Sequence, residues 1–249
     1  KQTINLYTNG TASNNGGSVT ISGTYITGNT TTGTNDVTSS GKDVSYDNLI
    51  GATVELTATP TTGYEFDGWY TEAECTNQFD FNTPIIADIT LYAKWTIAEY
   101  TINATLEHCT VTPEIRATYT YTGSAANLTY TFRPEDGYGL PKTITFSGCE
   151  YTWNQSTGVL TLTGVIKSNV TFTIAAKKIH TIKWMVDGEE YTNGEPSTTV
   201  LNNEQVSKLP TNPTLNCSGK TFVGWSDQEV TDGNKPSVLF TSAGTSPQI

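Results

Sequence analysis

The chain of 249 residues holds two histidines, four cysteines and one methionine, and only 15% of it is charged. Each scarcity removes a class of function. A zinc site gathers three or four Cys and His ligands, yet His108 and His180 lie far apart and no C-x-x-C spacing occurs. His108 and Cys109 are adjacent, but neighbouring side chains on a strand point to opposite faces, which separates a thiol from its base. Lys and Arg number 13 against 24 Asp and Glu, a net charge of −11, and the longest basic run is Lys177-Lys178. Phosphate contacts need clustered cations, so duplex nucleic acid is excluded as a partner. No apolar run approaches the roughly 18 residues of a membrane helix. G-x-S-x-G is missing. Gly219-Lys220-Thr221 lacks the leading glycine of a phosphate loop, because Thr214 stands there. The acidic stretch Asp227–Gly233 has Asp232 where an EF-hand needs glycine. Many carboxylate pairs exist, but nothing selects one at glycosidase spacing. The expectation is a protein that is not an enzyme, with no catalytic residues, no metal ligands and no cofactor.

What is abundant is Thr, about a fifth of the chain, with Gly, Asn and Tyr. These residues suit pleated surfaces and the turns between strands. Alternation with period two dominates. Val54, Leu56 and Ala58 form one such set; Ile89, Leu91, Ala93 and Trp95 another; Tyr100, Ile102, Ala104 and Leu106 a third. Val170, Phe172 and Ile174, then Ile182, Trp184 and Val186, continue the pattern. Each predicts a strand with one apolar and one Thr-rich face. No helical pattern of ten residues appears; Leu201–Leu209 and Glu72–Thr76 are the candidates for short helices. The fold class is mainly β, built of short antiparallel strands.

The chain also repeats itself. Gly63-Tyr64-Glu65-Phe66-Asp67-Gly68-Trp69 recurs as Gly219-Lys220-Thr221-Phe222-Val223-Gly224-Trp225. In this G-x-x-F-x-G-W the aromatics fill a small core, and the glycine before Trp lets the backbone turn or bulge. Residues Gly63–Trp95, with Phe79-Asp80-Phe81 running to Thr83-Pro84 and the closing Leu91-Tyr92-Ala93-Lys94-Trp95, resemble the second half of the Listeria–Bacteroides repeat, the internalin-B-type B repeat. The upstream part, with Gly17-Ser18-Val19 and Gly51–Ala58, resembles a divergent branch of that family; Gly28–Lys42 reads as an inserted loop or hairpin. His180–Ile249 resembles a further variant through Trp184–Gly188 and Phe222–Trp225, without an equivalent of the last strand, which would leave a strand edge open. Residues Tyr100–Lys178 resemble the β-sandwich-like modules that accompany such repeats. The expected organisation is tandem small β-rich modules: β-grasp-like repeat modules at 1–98 and 179–249 flanking a β-sandwich-like module at 99–178. Linkers near Ile97–Glu99 and Lys177–Ile179 are short, so a semi-rigid string is expected. Three modules of roughly 33 Å would reach on the order of 100 Å.

Cys109 and Cys149 fall in one module, either as a disulfide worth about 3–4 kcal/mol in the chain-entropy model or as two buried thiols, the preferred reading. Trp69, Trp95, Trp184 and Trp225 read as core. Trp153 and Tyr151, beside a turn, are candidate ligand contacts, with burial of Trp153 under a neighbouring strand an equal alternative. Tyr70 and Tyr92 join them as part of a tyrosine stripe with Tyr7, Tyr25 and Tyr46, for which cross-strand pairing is the plainer explanation. The resemblance implies an exported, extracellular or cell-surface protein of a Bacteroidetes-like bacterium, anchored in the outer membrane through segments beyond these. The chain would be a monomeric part of a larger protein. It implies adhesion, with a host protein or glycan as partner. A structural spacer is the alternative, and an accessory domain of a carbohydrate-active enzyme a distant third.

Overall fold

The computed structural model describes residues 3–7, 16–25, 31–37, 42–47, 53–82, 87–214, 221–229 and 240–241. Among them every regular element is a strand. The fold is all-β and built of several small sheets, as the alternation predicts.

Seven strands precede the first joint: β1 (Thr3–Tyr7), β2 (Gly17–Tyr25), β3 (Thr31–Val37), β4 (Lys42–Asp47), β5 (Thr53–Pro60), β6 (Tyr64–Tyr70) and β7 (Ile89–Ile97). They form the sheets β4-β1-β7-β6 and β3-β2-β5. The inserted segment supplies β3, which pairs antiparallel with β2 as a hairpin. β1 and β7 run parallel, with Ile4 opposite Ile89 and Tyr7 opposite Tyr92; the other pairs are antiparallel. Leu91, Ala93 and Trp95 of β7 alternate inward onto Leu6, Val19 and Trp69, all buried. The glycine of the G-W motif does what its position predicts. The β6–β7 register slips between Phe66 and Gly68, so Asp67 is an extra, bulged residue. Gly68 has φ +141°, and Gly224 in the second copy has φ +145°.

The middle of the chain forms β8 (Glu99–Glu107), β9 (Cys109–Thr112), β10 (Thr118–Thr120), β11 (Leu128–Pro134), β12 (Tyr138–Gly139), β13 (Thr145–Ser147), β14 (Tyr151–Asn154), β15 (Val159–Leu162) and β16 (Val170–Ala175). The sheets β10-β8-β16-β13 and β14-β15-β11-β9 share one core, whose centre is Phe132, Leu160, Leu162, Ile166, Val170, Phe172 and Ile174. β8 and β16 again pair in parallel, from Ile102 opposite Val170 to Glu107 opposite Ala175. In both regions the first strand therefore lies beside the last and points the same way. Cys109 and Cys149 are free thiols, and burial pushes both above the ordinary thiol range.

The last strands are β17 (Lys177–Thr181), β18 (Met185–Val186), β19 (Glu189–Glu190) and β20 (Thr199–Leu201). Asp187 and Gly188 both have positive φ in the two-residue turn between β18 and β19, the requirement of a type I′ hairpin. Trp184, Val206, Trp225 and Phe240 form a small core, so Trp184 and Trp225 are interior, as Trp69 and Trp95 are. The expected final strand edge lies outside the described residues.

The two expected short helices are not helices. Residues 201–209 complete β20 and continue as turn and extended chain. Residues 72–76 form a loop organised by one carboxylate: Glu72 Oε1 accepts the Thr76 N–H (2.6 Å), the Thr76 hydroxyl (2.7 Å) and the Asn77 N–H (2.6 Å). Glu72 Oε2 accepts the Thr71 hydroxyl at 2.7 Å. The carboxylate thus gives the backbone donors the acceptor that a helical ladder would otherwise supply, and these donors hold the Glu72 carboxyl down at about 2, the Thr71 hydroxyl contributing most. Because that value is depressed below 4.5, the loop's stabilisation is complete above the ordinary carboxylate range and is lost as pH falls through about 2. The amide resonances of Thr76 and Asn77 should accordingly titrate with a midpoint near 2 rather than 4.5, and Glu72→Gln should abolish that titration.

Candidate functional site

Among the described residues, two places bring together residues from different sheets and cores, and both are joints. At the first, β7 runs into β8 through Ala98 alone, which is buried. The Ala98 N–H donates to Gly63 O (2.9 Å), and Ala98 O accepts the Tyr121 N–H (2.9 Å). The Tyr64 and Tyr121 rings meet edge to face at 6.3 Å. Gly63 has φ +86°, and a Cβ there would overlap the Tyr121 ring. Glycine is thus required twice over, by the backbone and by the close approach.

The second joint repeats the device. β16 runs into β17 through Ala176 alone, also buried, whose N–H donates to Glu107 O at 2.9 Å. The Ile179 N–H donates to Gly137 O at 2.8 Å, and Gly137 has φ +82°. Gly63 and Gly137 occupy the same turn, Pro60-Thr61-Thr62-Gly63-Tyr64 and Pro134-Glu135-Asp136-Gly137-Tyr138. Tyr64 N–H closes on Thr61 O (3.1 Å) and Tyr138 N–H on Glu135 O (3.0 Å), with positive φ at the third turn position. In each case the glycine carbonyl latches the chain just beyond the last strand. This P-x-x-G-Y recurrence was readable in the sequence, but it is short and lies across the stronger G-x-x-F-x-G-W signal.

The second joint goes further. β17 pairs with β12 on one side and with β20 on the other, one sheet drawing strands from both sides of the joint. Leu201 packs against Gly139. Glu204, largely buried, sits between Lys142 and Lys177, both at 3.2 Å. His108 stacks on Tyr138 with ring centroids 4.0 Å apart and meets Glu135 at 3.0 Å.

The sequence-predicted ligand contacts lie elsewhere and do not converge. Tyr7, Tyr92 and Tyr70 form a row across β1, β7 and β6 on the face opposite the core, Tyr7 and Tyr92 stacked at 4.8 Å. Tyr70 is buried; its hydroxyl donates to Asp67 (3.0 Å), which also binds Lys94 at 2.8 Å. The Lys94 hydrogen bond is the main reason the Asp67 carboxyl lies below its usual range. Burial raises the Tyr92 hydroxyl. The side chains of Tyr25 and Tyr46 lie outside those described. Trp153 is half-buried: its Nε1 donates to Pro141 O at 3.0 Å and its ring meets Phe132 edge to face. Tyr151, 38% exposed, stacks on Phe146 at 4.1 Å.

Latched β units in series, with no convergent polar site among the described residues, define a class of protein: an array of small β modules. The chain belongs to the Listeria-Bacteroides repeat domain family, which matches residues 24–94 and 180–243, more than half of it. Those stretches hold the two G-x-x-F-x-G-W copies, and the middle sheets fall between them. Such repeats are a non-catalytic module type typical of surface proteins. A protein of Evansella cellulosilytica, bearing the provisional name of membrane protein, is 28% identical over 176 residues, 70% of this chain and 25% of that protein. The chain therefore spans about a quarter of the length of the curated relative it matches. No solved structure matches it significantly. Among the described residues no helix is long and apolar enough to cross a membrane.

The joint geometry sets a testable cost. Gly63→Ala forces a left-handed conformation on a residue with a Cβ and should lower stability by about 1–3 kcal/mol in urea unfolding. Combined with Tyr121→Gly, which clears the space, the loss should be less than the sum of the two single losses, because the sites touch.

Proposed function

We propose that this chain is a stalk segment of a surface-exposed bacterial protein, divided at Ala98 and Ala176 into three modules, whose work is to hold neighbouring domains at a set distance and orientation. The latched joints carry this reading: each crosses between units through one buried alanine, and each is tied by a glycine carbonyl to the next stretch of chain. A flexible linker would leave these groups to water. Inter-unit contacts that satisfy backbone donors favour one relative orientation, and a fixed orientation is what a spacer needs. The repeat family and the named relative support placing the parent protein at the cell surface. A Bacteroidetes-like source, outer-membrane anchoring and kinship to the internalin-B type belong to the same proposal.

A second reading is adhesion to a host protein or glycan, and the exposed Tyr151 on its Phe146 platform favours it. In that reading Tyr151 and the rim of Trp153 make the contact; Tyr70 is buried and makes none, which leaves Tyr92 alone of that row as a second contact.

Small-angle scattering from the whole chain distinguishes a tied array from a loose one. The native chain should scatter as a single extended conformation, and a four-glycine insertion after Ala98 should broaden its distance distribution. A native profile already as broad as the insertion variant's would defeat the stalk reading. For adhesion, arrays of host glycans and matrix proteins should return a specific hit that Tyr151→Ala removes; no hit, or one indifferent to that change, counts against it.

A further inference from the structure

We infer that the parallel pairs β1–β7 and β8–β16 are mechanical clamps, so that the chain bears tensile load as well as spanning distance. Tension along the backbone pulls the N-terminal end of β8 one way and the C-terminal end of β16 the other. Because the two strands are neighbours and point the same way, that pull slides one along the other. Every ladder bond between them is loaded together, and none can yield before its neighbours. An antiparallel pair of terminal strands would open from one end, bond by bond.

The ladder is also closed beyond its register. At its start the Thr101 N–H donates to Asn169 Oδ1 at 2.9 Å. At its finish the Ala176 N–H donates to Glu107 O at 2.9 Å. The Cys109 thiol adds a contact to Ile174 O at 3.4 Å. One face of the ladder is dry, since Ile102, Val170, Phe172 and Ile174 are all buried. Water, which competes for strained hydrogen bonds, reaches it from one side only. β1–β7 follows the same plan over four register pairs, with Leu6 against Leu91 beneath and Tyr7 stacked on Tyr92 above. The six register pairs of β8–β16 make the middle unit the stronger of the two. The joints add continuity: β7 and β8, and again β16 and β17, pass load through one residue.

This inference rests on the stalk reading for its biological setting, but its geometry lies within single units and stands apart from joint rigidity. The test is single-molecule force spectroscopy on the whole chain, with azide-bearing residues for handle attachment so that native thiols are untouched. Handles at the two termini load β8–β16 in shear. Handles at Glu99 and Lys167, both exposed and three residues ahead of the first ladder pair, peel the same ladder from one end. Shear should rupture the middle unit at a several-fold higher force than peeling at the same loading rate. The event should release the chain enclosed between Ile102 and Ala175, about 250 Å when extended. Equal or lower force in the shear geometry overturns the inference, as does release of that length before the β1–β7 unit yields. Joints that proved flexible by scattering would defeat the stalk reading while leaving the ratio of shear to peeling forces unchanged.

Discussion

Parallel pairing between the first and last strands of a unit cannot be closed by a tight turn, because parallel neighbours need a long connection. The chain between β1 and β7, and between β8 and β16, is that connection, and its described residues fold back largely as further strands. The constraint sets the polarity of each unit: the chain enters beside the start of the last strand and leaves at its far end. It also explains why the joints need only one residue. A strand that exits in the centre of a sheet already points away from its own unit, and Ala98 or Ala176 suffices to carry it into the next.

The two faces of β7 show how one short motif serves two purposes. In Leu91–Trp95 the odd positions fill the core and the even positions face outward, where Tyr92 stacks on Tyr7 and Lys94 binds Asp67. Asp67 reaches Lys94 because the bulge before Gly68 makes it the unpaired residue of β6. The G-W glycine therefore positions an ion pair as well as bending a strand. Such a pair, about a third exposed, contributes modestly to stability; its weight lies in fixing the outer tyrosine face, where Tyr70 is covered.

Strand character and the four interior tryptophans were legible because period two and aromatic repetition are local signals. The repeat motif was legible for the same reason. What escaped were pairings that local pattern does not encode. Glu72–Thr76 has helix-compatible composition, yet Glu72 satisfies the nearby donors with its side chain and so removes the reason for a helix. The parallel partners Ile4 and Ile89, or Ile102 and Val170, are joined only by tertiary structure. Trp153 stood beside a turn, where exposure and burial under a neighbouring strand were equally open, and Pro141 O and Phe132, brought near by the second sheet, hold it half under cover. The joints hid in plain view, since P-x-x-G-Y matters through what its carbonyl meets after folding.

The terminal ladders also govern the order of assembly. Hairpins such as β2–β3 and β14–β15 close within a few residues of being made, whereas Ile4 must wait for Ile89 and Ile102 for Val170. Contacts of long sequence separation form slowly because the loop must be closed before they stabilise anything. A chain emerging from the ribosome or through a membrane pore N-terminus first will thus hold each unit open until its final strand arrives. In the sequence order β17 follows at once, and it docks on β12 of a unit that has only just been sealed. Folding then advances along the array in the direction of synthesis, and at the second joint the finished unit offers the edge on which the next begins.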